Sequence, residues 1–389
     1  MALLKDLIEK PITGEWGVEG EEIAVLRTTN FTNLGVLDLT SVVKRNISKV
    51  KVDQKRLQKG DIIIEKSGGS PQQPVGRVVY FNEDGVYLCN NFTSILRPKK
   101  EKVHSKYLHY LLFASHKFGL TEMFQNKTTG IINLQLARFI NKLEIPLPPL
   151  ATQKRIAEIL DNAAALKEKT EQLLKEYDSL AQSIFLDMFG DPVRNEKVWE
   201  KVTLESLVKI SSGSTPSRKV ETYWNGNIPW VRTGEVNSKL ILDTEEKITD
   251  EGLNNSSCKL YKKGSIVIAM YGEGKTRGQV GMLGIDATTN QACAVLQPSK
   301  KINFSFLYEY LKMSYQDLRS LGRGGNQPNL NAGLIKSYKV FNPPIELQNQ
   351  FAEKIALIEQ QKALAKQELQ ESEALFNCLL QKAFKGELV

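Results

Sequence analysis

Pro148-Pro149-Leu150-Ala151-Thr152-Gln153-Lys154-Arg155-Ile156-Ala157-Glu158 comes back later in the chain as Pro343-Pro344-Ile345-Glu346-Leu347-Gln348-Asn349-Gln350-Phe351-Ala352-Glu353. Proline has no backbone N–H and a fixed φ, so a proline pair ends the element before it and is tolerated at the first turn of a helix. No Gly or Pro follows the first pair until Gly190. Both copies therefore predict a long helix. Steps of seven from Ile156 meet Ala163, Thr170, Tyr177 and Ile184, and steps from Ile159 meet Leu166, Leu173, Leu180 and Asp187. In the second helix Phe351, Ile358, Ala365, Ser372 and Leu379 form one row, with Ile355, Lys362, Leu369, Phe376 and Ala383 as the other. Mostly apolar rows repeating every seven residues describe a coiled-coil seam. Two seams of equal length in one chain most simply pack against each other, antiparallel, as a pseudo-two-fold pair.

Outward from the helices, the rest of the chain is also written twice. Leu4-Lys5-Asp6-Leu7 recurs as Leu204-Glu205-Ser206-Leu207, Leu26-Arg27-Thr28 as Val231-Arg232-Thr233, and Lys59-Gly60-Asp61-Ile62-Ile63-Ile64 as Lys263-Gly264-Ser265-Ile266-Val267-Ile268. Val75-Gly76 then aligns with Val280-Gly281, Asn90 with Asn290, Leu96 and Pro98 with Leu296 and Pro298, and Asn133-Leu134 with Asn329-Leu330. The expected organisation is a globular block over 1–149, a helix over 150–190, a second block over 191–342 and a helix over 343–389. Each block reads as mixed α/β, of the α+β kind. Strand-like runs lie at Gly60 to Lys66, Val75 to Phe81 and Tyr87 to Leu96, and helix-like runs at Ser105 to Phe118 and Asn133 to Lys142.

A chain of 389 residues with 41% hydrophobic content supports more than one core. Its longest apolar runs are strand-sized, well short of the ~20 residues of a membrane helix. Asp6 arrives too early for the apolar core of a signal peptide, so a cytoplasmic, non-membrane protein is expected. Four cysteines without a C-x-x-C pair, and three histidines, predict neither a zinc site nor a disulfide framework. The net charge of +8 is unevenly spread: residues 1–149 and 191–342 each carry +6, while the two helical segments carry −2 each. Two separate basic blocks suit two contacts with a polyanion such as nucleic acid.

These features resemble the specificity subunits of type I restriction-modification systems over essentially the whole chain. Pro146 to Ala157 (PLPPLATQKRIA) is similar to that family's start of its central helix, and Phe185 to Pro192 (FLDMFGDP) to its exit. Ser212-Gly213-Ser214-Thr215-Pro216, Tyr223-Trp224 and Ile228-Pro229-Trp230-Val231 resemble the opening of a recognition domain, and Gly60 to Arg77 resembles a strand-loop-strand pattern of the other. The resemblance implies two target-recognition domains that each read half of a split double-stranded DNA site. It also implies an antiparallel coiled-coil spacer, with methyltransferase (modification) subunits and a motor-nuclease (restriction) subunit as partners. The first block holds no sequence copy of Ser212 to Trp224, so DNA-facing residues there do not carry over.

Three motifs point elsewhere and are outweighed. Asn342-Pro343-Pro344-Ile345 resembles the signature of a stand-alone N6-adenine methyltransferase, but Ile345 cannot stack on a flipped base, and Leu147-Pro148-Pro149-Leu150 stands in its place in the first repeat. Ala269 to Thr276 fits a relaxed phosphate loop, yet the glycine-rich Arg277-Gly278-Gln279-Val280-Gly281 cannot open the required helix. Asp61 and Glu65 are the nearest pair for a nuclease metal, but their counterparts are Ser265 and Ala269. No catalytic residue and no cofactor is expected. A coiled-coil scaffold without a DNA role explains the helices but leaves the basic blocks without a purpose.

Base edges are read by side chains with paired donors and acceptors, above all Arg, Asn and Gln, while Lys and Arg hold phosphates. In the first block Arg27, Thr28, Asn30, Ser67, Gln72, Gln73 and Arg77 are the candidate DNA readers, with Lys66 and Lys127 on phosphates. In the second, the candidates are Arg218, Lys219, Arg232, Thr233, Lys275, Arg277, Arg323, Asn326 and Gln327.

Overall fold

Ile62–Glu65 and Ile266–Ala269 are buried at every position, as strands covered on both faces must be. Each is a central strand of its own block's main sheet in a computed structural model that describes residues 1–126, 131–272, 274–322 and 329–388. In the first block Ile62–Glu65 lies antiparallel between Thr93–Leu96 and Val78–Tyr80, and Ile12–Thr13 forms the edge beyond Thr93–Leu96. In the second block Ile266–Ala269 lies between Cys293–Gln297 and Val280–Leu283, flanked by Lys209–Ser212 and, in parallel, by Leu240–Ile241. A second sheet repeats as well. Val18–Leu26 runs antiparallel to Val43–Asn46 and parallel to Tyr87–Cys89, just as Trp224–Val231 does with Glu246–Ile248 and Thr288–Thr289. The blocks are thus α+β copies of one topology.

Strand register corrects the sequence alignment at one point. Ile64 faces Val78 and Ile268 faces Val280, so Gly76 is equivalent to Gly278, not Gly281, and Arg77 to Gln279. Both glycines have left-handed backbones, at φ +109° and +85°, which a side chain would strain. The match of the two Val-Gly strings is three residues out. Asn133, read as helical, lies in the strand Ile132–Leu134, and the helix begins at Leu136.

The first block also has a counterpart of the segment that its sequence lacks. Gly14 donates its N–H to Thr93 O (3.3 Å) and Gly213 donates to Cys293 O (3.1 Å). A Cβ on Gly14 would sit 2.1 Å from Asn90 O, and one on Gly213 2.1 Å from Thr289 Oγ1. Only a hydrogen fits in either place.

The long helices span Leu150–Phe189 and Ile345–Lys385. The chain divides into two compact units, Met1–Glu171 with Gln367–Val389, and Gln172–Lys366. Within the first, Ile156, Leu160 and Ala163 share a core with Phe376, Leu380 and Ala383. Within the second, Ala181, Phe185 and Phe189 share a core with Phe351, Ile355 and Ile358. The early half of one helix meets the late half of the other, so the pair is antiparallel. Both seam rows expected of the second helix are largely inward, but in the first helix one row is displaced by a residue. Leu160 and Ala181 are buried, whereas Leu166 and Leu180 are 40% and 45% exposed. The true row holds Lys167, whose mostly covered stem carries its ammonium to Glu373 at 2.7 Å. A long lysine stem can complete an apolar seam.

All three histidines fall in the first unit, on or beside the helix Ser105–Lys117. His109 lies among Tyr80, Tyr110 and Phe113 with Nε2 3.1 Å from Gly35 O, and His116 Nε2 is 3.2 Å from Pro74 O. Burial pushes both down to about 4. Between that value and the unfolded range near 6.5 the unfolded chain binds more protons, so stability is lost as pH falls through this window. The melting temperature of the first unit should therefore drop between pH 7 and pH 5, with proton uptake on unfolding of up to about one per histidine. His109→Met should remove about half of that uptake, as measured by calorimetry in buffers of different ionisation enthalpy.

Candidate nucleic-acid interface

In both blocks the strand of the second sheet ends on Leu26 or Val231 and turns sharply at Arg27 or Arg232. A side chain three residues on closes the turn. Asn30 Oδ1 accepts from Arg27 N–H (2.9 Å), and its amide hydrogens are donated to Asp38 O (2.9 Å) and Ser41 O (3.0 Å). Glu235 does the same with carboxylate oxygens: Oε2 accepts from Arg232 N–H (2.7 Å) and Oε1 from Glu245 N–H (2.9 Å). Asn30 is 2% exposed, so this expected reader is a bracket whose donors are spent. The bracket presents Arg27 and Thr28 in one block and Arg232 and Thr233 in the other. Arg27 Nε has no hydrogen-bond partner among the described residues, while the Arg232 guanidinium meets Glu245 and lies 3.9 Å from Glu246.

Arg77 is likewise consumed by the fold. Its Nε and Nη2 donate to the two oxygens of Glu65 (2.9 and 3.0 Å), Nη1 to Phe31 O (3.2 Å) and Nη2 also to Thr28 O (3.2 Å). The Glu65 side chain is only 4% exposed, and the pair ties the central strand to the Arg27 turn. Asp61 is held in the same bidentate way by Arg97, at 2.8 Å twice. The two carboxylates of the candidate nuclease pair therefore serve as arginine acceptors. Among the described residues no group of three or more His, Cys, Asp or Glu could hold a metal.

Ser67 Oγ donates to Asn133 Oδ1, joining Ser67–Gly69 to Ile132–Leu134. Gln72 and Gln73 are exposed on the tight turn that follows, in which Gln73 N–H donates to Ser70 O (3.0 Å). Lys66 is half-buried and donates to Thr13 Oγ1 (3.2 Å). The matching loop of the second block turns through left-handed Gly272, Gly274 and Gly278 and exposes Lys275. Its backbone is held from behind, since Tyr315 donates its hydroxyl to Lys275 O (2.8 Å) and Arg319 Nη1 donates to Arg277 O (3.1 Å). Arg218 stacks 3.7 Å from the Trp224 ring and donates to Glu246 (2.6 Å), leaving its guanidinium half exposed beside exposed Lys219. Lys127, Arg323, Asn326 and Gln327 lie outside the described residues.

Sequence reasoning missed Arg45, which stacks 4.2 Å from the Trp16 ring and pairs an arginine with a tryptophan in the first block as Arg218 and Trp224 do in the second. Trp16 and the alternation over Val43–Asn46 were its only signals. Asn342 is a helix-start residue: its Oδ1 accepts from Gln348 Nε2 (2.9 Å), and its N–H donates to Glu200 O (3.1 Å). No helix among the described residues is long and apolar enough to cross a membrane.

The profile of the family described as type I restriction modification DNA specificity domain matches residues 4–176 and again 196–374. The MjaIX specificity subunit of a type I restriction enzyme from Methanocaldococcus jannaschii is 24% identical over 79% of this chain and 73% of its own. The EcoKI specificity subunit of Escherichia coli strain K12 is 25% identical over 95% of this chain and 83% of its own. The crystal structure of a type I restriction-modification S subunit from M. genitalium shares the fold with a TM-score of 0.59 at 17% identity, covering 98% of this chain and 95% of that one.

Two substitutions separate bracket from reader. Arg77→Ala strands a buried carboxylate and should cost about 3–5 kcal/mol of stability, read as a lower denaturation midpoint. Lys275→Ala should leave stability within about 0.5 kcal/mol and lower the salt dependence of duplex binding by about one phosphate contact.

Proposed function

Since this chain belongs to the type I restriction modification DNA specificity family, we propose that each of its blocks reads one half of a bipartite double-stranded DNA target. The observation that carries this reading is a shared scaffold with unlike tips. The Arg27 and Arg232 turns are built alike, yet Asn30 stands where Glu235 does, Glu65 and Arg77 where Ala269 and Gln279 do, and Lys66 where Met270 does. One architecture with different donors and acceptors is what two different half-sites require. In the first block Arg27, Thr28, Gln72 and Gln73 face the bases with Lys66 on a phosphate. In the second Arg218, Lys219, Arg232, Thr233, Lys275 and Arg277 serve the same ends. Asn30, Ser67 and Arg77 hold these groups in place.

The helices set the unspecified gap between the half-sites and dock the modification subunits. Supporting the docking are apolar side chains left outside the seam, Leu166 and Leu375 in the first unit and Leu180, Leu357 and Leu364 in the second. The restriction subunit joins that assembly. Methyl transfer and cleavage belong to the partners, and this chain works in the cytoplasm as a non-catalytic subunit. The stand-alone methyltransferase reading loses its best motif, because the Asn342 amide is engaged at the helix start.

The purified chain should bind duplex DNA with an affinity that falls steeply as salt rises, yet transfer no methyl group from S-adenosylmethionine and cut no DNA. Adding modification subunits should restore methylation at one bipartite sequence. Methyl transfer by the chain alone, or binding indifferent to salt, would refute the assignment.

A further inference from the structure

The edge strand Ile12–Thr13, the segment before it and the helix Leu136–Lys142 enclose a cleft of about 640 Å³ in the first unit. Lys5, Lys10, Lys66 and Lys99 line it, against a single acidic residue, Glu9. Two of these ammonium groups are oriented by long hydrogen bonds, Lys66 to Thr13 Oγ1 (3.2 Å) and Lys99 to Asp6 O (3.3 Å). Neither bond supplies a counter-charge. Loss of hydration draws the Lys66 ammonium down from the usual lysine range, a cost that an anion in the cleft would reverse. Ser94, also lining the cleft, is 1% exposed and its hydroxyl has no hydrogen-bond partner among the described residues.

The second block shows that the fold does not need this set. Strand register and the repeated leucines put Glu205 at the place of Lys5, Met270 at that of Lys66 and Ala294 at that of Ser94, while Lys301 reaches Ser206 O (2.8 Å) as Lys99 reaches Asp6 O. The same sheet is built there with alanine and methionine, so a buried unpartnered hydroxyl and a crowd of like charges are not structural requirements. Lys66 also leads directly into Ser67–Gly69 and the exposed glutamines beyond it, which favours a ligand continuous with what those glutamines touch.

We propose that this cleft is a phosphate seat possessed by the first block alone, filled by a phosphodiester of the DNA backbone. The inference rests on the DNA-reading function and adds an asymmetry to it: one half-site is anchored by a backbone contact that the other lacks. Giving the cleft the residues of the second copy, Lys66→Met with Lys5→Glu, should lower the slope of log affinity against log salt by about one to two in duplex titrations of the full chain. The preferred base sequence should stay the same. Ser94→Ala should fold with an unchanged melting temperature, and melts of the double variant confirm that its block is intact. A second arm uses inorganic phosphate at millimolar concentration as the probe. If phosphate raises the melting temperature of the natural chain but not of the variant, while the salt slope is unaltered, the seat stands and its phosphate comes from a free ion. Equal slopes together with equal responses to phosphate would overturn the seat. Should the natural chain itself bind no duplex, the DNA-reading function fails, and the phosphate arm still decides the cleft.

Discussion

Where each long helix leaves its block, a buried glutamine clamps the two together. Gln153 Oε1 accepts from His104 N–H (2.9 Å) while its Nε2 donates to Pro148 O (2.8 Å). Gln348 Oε1 accepts from Asn303 N–H (2.8 Å) while its Nε2 donates to Pro343 O (2.7 Å). Both side chains are buried, so each amide must find partners, and each does so between the loop that opens the block's main helix and the proline pair that opens the long one. An apolar residue here would leave an N–H and a carbonyl stranded, and a shorter amide would not span the gap. This clamp sets the direction in which a long helix leaves its block, and with it which face the seam presents.

The remainder follows from a division between the frame and its tips. Completely buried central strands, Gly14 and Gly213 against a neighbouring backbone, and the paired clamps are the same in both halves. Side chains at the strand ends are not. The fold therefore carries two chemistries on one architecture, and the polar groups that differ between the copies are those that the architecture can spare. Arg77 marks the limit of this rule. It differs from Gln279 yet is structural, because Glu65 accompanies it, and both members of the pair are absent from the second copy.

The duplication, the helices and the α+β blocks were legible because they rest on order along the chain and on periodicity. The misreadings arose where periodicity was ambiguous. Ile159, Leu166, Leu173 and Leu180 are as apolar as the true seam row, and Lys167 hides its place in that row behind a charge. The Val-Gly match failed because a glycine was aligned by its neighbour and not by its backbone, where left-handed φ identifies Gly76 with Gly278. At the interface, residue type identified groups able to read a base but not those already engaged. Asn30 and Arg77 looked like readers because amide and guanidinium groups serve brackets as well as bases. Whether a donor is free depends on partners distant in sequence, such as Ser41 for Asn30 and Phe31 for Arg77.

The central claim is that the two blocks read two half-sites independently. Exchanging residues 191–342 for the corresponding segment of a relative with a different target, then sequencing methylated bases across the host genome, tests it most directly. The account predicts a hybrid target in which one half and the length of the gap are kept and the other half is replaced. A target changed in both halves, or changed in neither, would contradict it.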